Sequence, residues 1–463
     1  MSLLVIFDKF LQNIFLKQLN FKVQSNSFLK SSGIVFIVNL IVATINYTVP
    51  IIVRNITDKD FFPKWIALNS TIAISLVIYV ALQAEFTKKI SAHHTQNSDI
   101  TAKNYLNFMK RGLLKIFLFS IPILPFIIWV VRFASPSDSW ILATTIVANL
   151  FLQSYAVLHS SYLLGMLKIK DFSIGILLST FSRPLATTAM LLVGLDLYAL
   201  PLGYMIFALV LLSHSLWVIR RYDREKKLQE DKNFVCKNPS SDKTTVFDLT
   251  TEFISISKTV FVFFVLSAFL NVSAIIAERN LQNEDRDLFA VLFTFGQIIH
   301  FGSIAFLGAF VAYSAKGRNI KLYLTSVAAV SMIALAIGIG FWLFGPILLA
   351  IMNSTEYISQ IYTILYFSIF VALYNIIFVS SQYLVSQNDY GTIFILVFFL
   401  IIQTVVLINP VLIGLAGLSL FQFVTINNVI ALITTTALVL KILLDHNKLK
   451  LKHNSINYKF NLG

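Results

Sequence analysis

Twelve times along this chain a stretch of about 20 residues runs almost free of charge, long enough in each case to cross the hydrocarbon core of a bilayer as a helix. Lipid offers a backbone no hydrogen-bond partner, so such stretches must be helices or the strands of a closed barrel. Barrel strands would alternate apolar and polar residues over about 10 positions, and these runs do not. Hydrophobic residues form 57% of the chain and charged ones 13%, well outside the range of soluble globular domains. The sequence therefore predicts an all-α polytopic membrane protein. Its spans fall at 31–53, 65–84, 113–131, 141–165, 172–193, 199–219, 254–277, 288–311, 321–343, 359–380, 391–409 and 417–440.

An even number of spans puts both termini on one side. Lysine and arginine choose the side: they gather before the first span, in loops 85–112, 166–171, 220–253 and 312–320, and after the last span. The opposite loops hold only Arg54, Lys59, Lys64, Arg132, Arg279 and Arg286. The excess of basic residues on cytoplasmic loops predicts cytoplasmic termini in an inner or plasma membrane. The same bias accounts for the net charge of +14, so nucleic-acid binding is not needed to explain it. Residues 1–30 form a cytoplasmic segment in which Leu3, Phe7, Phe10, Leu11, Ile14 and Phe15 recur at helical spacing, as in a helix lying on the membrane surface. The single cysteine, Cys236, permits no internal disulfide and reads as an incidental thiol in a polar loop.

The longest polar segment, 220–253, carries RRYDREKK and NPSSD and reads as a basic cytoplasmic linker. It separates an N-lobe (31–219, spans one to six) from a C-lobe (254–440, spans seven to twelve); 441–463 forms a cytoplasmic tail. Two blocks with the same even number of spans share one orientation and can be related by a two-fold along the membrane normal. Two six-helix lobes facing each other across a central cavity, rocking to alternate access, are the architecture expected.

Arg183 stands near the middle of the fifth span, roughly 16 Å from either membrane surface. A charge at that depth costs at least about 2.5–3.5 kcal/mol unless it finds water, a partner or a ligand. Asp171, Asp196, Glu85 and Glu278 all lie near span ends, so none is an evident partner, and an arginine side chain cannot snorkel that far. Arg183 is therefore expected to face an interior cavity, where a permanent cation suits an anion. Pro184 follows it and removes one helix hydrogen bond. Asn39, Asn46, Asn271, Ser273, Gln297 and His300 lie at membrane depth and are candidate cavity residues beside it. For polar side chains in spans the competing role is bonding to a neighbouring helix, worth about 1 kcal/mol or less each. His93 and His94 are adjacent, which points their rings apart, and no metal or cofactor is expected.

The order of these features resembles the multidrug/oligosaccharidyl-lipid/polysaccharide (MOP) exporter superfamily, in particular its polysaccharide (Wzx-like) flippase branch. The stretches that carry the resemblance are FLKSSGIVFIVNLIVATINYTVPIIVRNITDKDFFPKWIALNS followed by LQAEFTKKISAHH, and YLLGMLKIKDFSIGILLSTFSRPLATTAMLLVGL, in which Arg183 falls on the family's intramembrane arginine. FLNVSAIIAERNLQNEDRDLFAVLF resembles the start of the second lobe. It departs from the branch at Ser273, where an aspartate is usual, and at Asp287, Leu288 and Phe289. The resemblance implies that a polyprenyl-diphosphate-linked oligosaccharide, the repeat unit of an O-antigen, capsule or exopolysaccharide, is flipped from the cytoplasmic to the outer leaflet. It also implies membrane lipids, a polysaccharide polymerase and glycosyltransferases as partners. Planar arginine can grip phosphate oxygens in bidentate fashion, which fits such a headgroup.

The alternative is a cation-coupled exporter of drugs or other small molecules from the same superfamily. Members that extrude cations need a buried carboxylate, whereas span one offers Asn39 and Asn46 and no acid. A membrane enzyme would need paired carboxylates, a nucleophile with its base, or a long outer loop. The sequence offers none of these, so an enzyme is not expected. A scaffold or channel fits the two-block layout less well.

Overall fold

The computed structural model describes residues 25–96, 99–137, 139–232, 249–304, 320–387, 389–413 and 417–460, and every regular element among them is helical. The first block contains α1 (Ser25–Ile56), α2 (Phe61–Gln96), α3 (Asp99–Ser120), α4 (Leu124–Ala134), α5 (Trp140–Gly165), α6 (Ile169–Leu192) and α7 (Ala199–Lys232). The second contains α8 (Leu249–Asn280), α9 (Asn283–Ile304), α10 (Ile320–Leu343), α11 (Gly345–Ile351), α12 (Tyr362–Ser386), α13 (Thr392–Ile408) and α14 (Leu420–Phe460). Nine helical segments among the described residues are long and apolar enough to cross a membrane, and α13 is a shorter apolar helix. Phe119 and Val193, each 80% exposed, turn outward from the bundle. Large apolar side chains so arranged belong against lipid, and this is a multi-pass membrane protein.

Each expected span lies on a helix, with differences at the ends. Span 113–131 is built from α3 and α4, joined by a tight turn at Ile121–Ile123. Pro122 lies within that joint and Pro125 just after it, and neither has an N–H to continue the α-helical ladder. The linker 220–253 is helical over its first part, since α7 continues to Lys232, and α8 begins at Leu249. The tail beyond 440 continues as α14 to Phe460. The surface helix expected near the N-terminus, Cys236 and residues 305–311 of the eighth span lie outside the described residues.

Local chemistry sets several boundaries. Ser139 caps α5 by accepting a hydrogen bond from the Leu142 N–H through its Oγ at 3.2 Å. Gly194 ends α6: its φ of 86° lies in the left-handed region, and the Leu195 N–H reaches back to the Met190 carbonyl at 3.0 Å. α6 itself runs unbroken through Pro184.

Packing partners repeat between the blocks. In the first, α2 packs on α5, α5 on α7, α6 on α7, α1 on α6 and α4 on α5. In the second, the corresponding pairs are α9 on α12, α12 on α14, α13 on α14, α8 on α13 and α10 on α12. The molecule is thus two lobes with one internal plan. They meet along two seams, an extensive one between α2 and α8 and a shorter one where α9 packs against α1 and α2. At the Arg54 end of the molecule one apolar core continues across the lobes, joining Val53, Phe62, Trp65 and Ile66 to Leu266, Phe269 and Ala277.

Candidate functional site

α6 carries Arg183 and packs against α7, and this contact positions the cation. Gly203 on α7 permits the approach, because a Cβ there would come within 2.0 Å of Thr187 Oγ1 and 3.4 Å of the Arg183 carbonyl oxygen. One residue on, Tyr204 presents its ring to the guanidinium, whose central carbon lies 4.5 Å from the ring centroid. The Tyr204 hydroxyl donates to Asn69 Oδ1 on α2 at 3.1 Å. On α5, Gln153 Nε2 donates to the Tyr204 carbonyl at 3.4 Å and to Asn149 Oδ1 at 3.3 Å. Tyr204 is thus held from two sides with its ring against the arginine.

No ion pair to Arg183 is found among the described residues, and its buried Nε has no hydrogen-bond partner there. Asp171 instead accepts from the Tyr222 hydroxyl, and Glu85 from Thr259. A cation–π contact supplies about 0.5–2 kcal/mol, short of the roughly 2.5–3.5 kcal/mol that a charge costs at this depth. The remainder is left for hydration or an anionic guest. Neutral polar atoms without partners lie on the same helices: Asn149 Nδ2, Ser70 Oγ, Thr180 Oγ1 and Thr187 Oγ1. The arrangement offers one cation and several neutral donors and acceptors.

The other sequence candidates are placed differently. Asn46 is half-buried on α1; Asn39 is on the same helix, but its side chain lies outside the described residues. Gln297 is buried on α9, and its carbonyl accepts from the Tyr47 hydroxyl at 2.7 Å, a bond between lobes. His300 is buried within the C-lobe, where Nδ1 donates to Asn375 Oδ1 at 2.5 Å and the ring packs on Tyr374, Phe301 and Phe378. Ser273 donates to the Leu270 carbonyl of its own helix at 2.8 Å. Asn271 Nδ2 donates to the Ser267 carbonyl at 2.9 Å, leaving its Oδ1 without a partner. Arg183 and His300 thus sit in different lobes, each with its own set of neighbours.

Sequence reasoning missed Tyr204, Tyr47 and Asn69, since aromatic and amide side chains in spans are too common to single out. It also counted Arg54 among loop charges. Arg54 is in fact 3% exposed at the end of α1, and its Nη1 and Nη2 donate to the two carboxylate oxygens of Asp287 on α9, both at 2.8 Å. The departure noted at Asp287 was the available signal.

No protein-family model and no curated protein matches the chain. Solved structures do. An inward-facing multidrug resistance MATE family transporter of the MOP superfamily aligns over 88% of this chain and 98% of its own, with a TM-score of 0.60 and 14% identity. An outward-facing transporter of that description aligns over 91% and 96%, at a TM-score of 0.64 and 12% identity. A MATE in its straight conformation aligns over 89% and 95%, at 0.58 and 16%. The chain has the fold of the MATE transporters of the MOP superfamily, the superfamily its sequence resembles. The likeness does not single out the polysaccharide branch.

Proposed function

We propose that this protein is an exporter of the MOP type, exposing the polar site around Arg183 in its N-lobe to one face of the membrane and then the other. The fold supports that reading, because two lobes with one packing plan, meeting along two seams, are suited to rocking. The lysine and arginine bias supports an orientation with both termini and the 220–253 linker in the cytoplasm of a cell membrane.

For the cargo, the matched structures are described as multidrug transporters, which supports a small amphiphilic molecule ahead of the lipid-linked oligosaccharide that the sequence put first. The observation that carries the choice within that class is Arg183, a cation without an acidic partner among the described residues, set against Tyr204. A site so built favours a cargo with negative charge and an apolar body. The diphosphate of a lipid-linked oligosaccharide has the same charge, and the neutral amides Asn149 and Gln153 suit sugar hydroxyls, so flipping of that lipid stands as the second reading.

The test uses purified protein in proteoliposomes, loaded in turn with an anionic dye, a cationic dye of similar size and a fluorescent polyprenyl-diphosphate disaccharide. Transport of the anionic dye supports the first reading. Transport of the diphosphate lipid alone supports the second. Transport of the cationic dye alone would defeat both.

A further inference from the structure

The Arg54–Asp287 fork belongs to a larger array at one end of the α1–α9 seam. Arg54 Nε also donates to Ser354 Oγ at 3.1 Å, and the Tyr357 hydroxyl donates to Asp287 Oδ2 at 2.6 Å. Lys59 Nζ bonds Glu356 Oε1 at 2.6 Å, and that oxygen lies 3.6 Å from Arg54 Nη2. Asn55 Nδ2 donates to the Ile351 carbonyl at 2.9 Å. Arg54, Asn55 and Lys59 belong to the N-lobe, and their partners to the C-lobe. Along the seam the described contacts continue to Tyr47, which meets Gln297 and packs on Phe301 at 6.0 Å between centroids. Beyond that level Phe301 is 48% exposed and Ile41 39%.

At the Arg54 end the two seams are built from different chemistry. That between α2 and α8 is apolar at the Arg54 end, with Phe62, Trp65, Ile66, Leu266 and Phe269 essentially buried, and carries its polar contacts toward the linker end, where Lys89 pairs with Glu252 and Thr259 Oγ1 donates to Glu85 at 3.0 Å. Parting its apolar end would expose hydrocarbon to no advantage. A buried ion pair differs: desolvation nearly cancels its attraction, so it adds little net stability over apolar residues, while its bidentate geometry fixes one register. When such a seam opens to water, both charges regain their hydration. It is specific when closed and inexpensive to open.

We infer that Arg54 and Asp287, with Ser354 and Tyr357, form a latch that closes the lobes at the end of the molecule opposite the 220–253 linker and parts when the site opens to that face. This rests on the alternating-access reading, but its test needs no cargo. In a Cys236→Ser background, Asn46→Cys places a thiol on α1 about two helical turns below Arg54. An impermeant maleimide is applied to intact cells. Asp58→Cys, an exposed position at the Arg54 end, reports orientation separately. Asp287→Asn strands the Arg54 charge in the closed seam and should raise labelling of Cys at position 46 by about tenfold. The pair Arg54→Met with Asp287→Leu makes the seam apolar. It should leave the protein abundant and lower labelling below that of the parent. A purely structural ion pair predicts no change in labelling with either variant. Parental labelling of an abundant Asp287→Asn variant would overturn the latch. Should that variant be degraded, parental labelling of the apolar pair overturns it instead. If Asp58→Cys fails to label from outside, the assigned orientation is wrong, and the same comparisons are made with inverted vesicles.

Discussion

The guanidinium of Arg183 lies 4.5 Å from the ring centroid of Tyr204, and Tyr204 is itself tied to α2 and α5. The pair therefore joins the only cation near the middle of the fifth span to three neighbouring helices of the N-lobe, with no carboxylate paired to it among the described residues.

If Arg183 holds an anionic cargo, Arg183→Gln and Arg183→Ala should reduce transport by roughly 10- to 100-fold, the equivalent of losing about 1.5–3 kcal/mol of charge-assisted hydrogen bonding. Membrane abundance should hold, because no buried acid is left behind. Arg183→Lys keeps the charge without the fork and should recover only part of the activity. Transport in proteoliposomes and immunoblots of the membrane fraction measure both. Full transport by the Ala variant would remove Arg183 from the cargo site.

The close approach at Gly203 makes a steric prediction. Gly203→Val places branched carbons where even one Cβ meets Thr187 Oγ1 at 2.0 Å, so α6 and α7 must separate. A loss of about 1–3 kcal/mol is expected for overpacking of this kind. Gly203→Ala should cost less, because the Thr187 hydroxyl can rotate away. Melting temperatures in detergent rank the two. Equal melting of wild type and Val would show that the helices are not held at this distance.

His300 offers a test of structural against cargo roles. His300→Leu leaves Asn375 buried without its side-chain partner, which should destabilise the protein by about 1–3 kcal/mol. Adding Asn375→Leu removes the stranded amide and should restore most of that loss. If the double variant also transports normally, the pair serves packing alone. A stable double variant that has lost transport would place His300 in the cargo path.

Because Cys236 is the only cysteine, the native protein reports its own orientation. An impermeant maleimide should leave intact cells unlabelled and react after permeabilisation. Labelling from outside would reverse the assigned topology.

Apolar runs of membrane-spanning length, the polar break at 220–253 and the basic bias of alternate loops already specified helices, their approximate ends and two blocks of six. Lipid leaves the backbone so few choices that local composition decides these features. The depth of Arg183 and its want of a nearby acid were legible for the same reason, since depth follows from counting along a helix. Which residues meet across helices was not. Tyr204, Asn69 and Asp287 look ordinary in sequence and acquire meaning from partners 21, 135 and 233 positions away. His300 shows the converse, since its depth made it a candidate while its surroundings proved to be Asn375 and aromatic rings of its own lobe. Hydropathy reports the energy of one residue against lipid or water. A pairing energy depends on the distance and angle between two side chains, and only the packing of the lobes sets those.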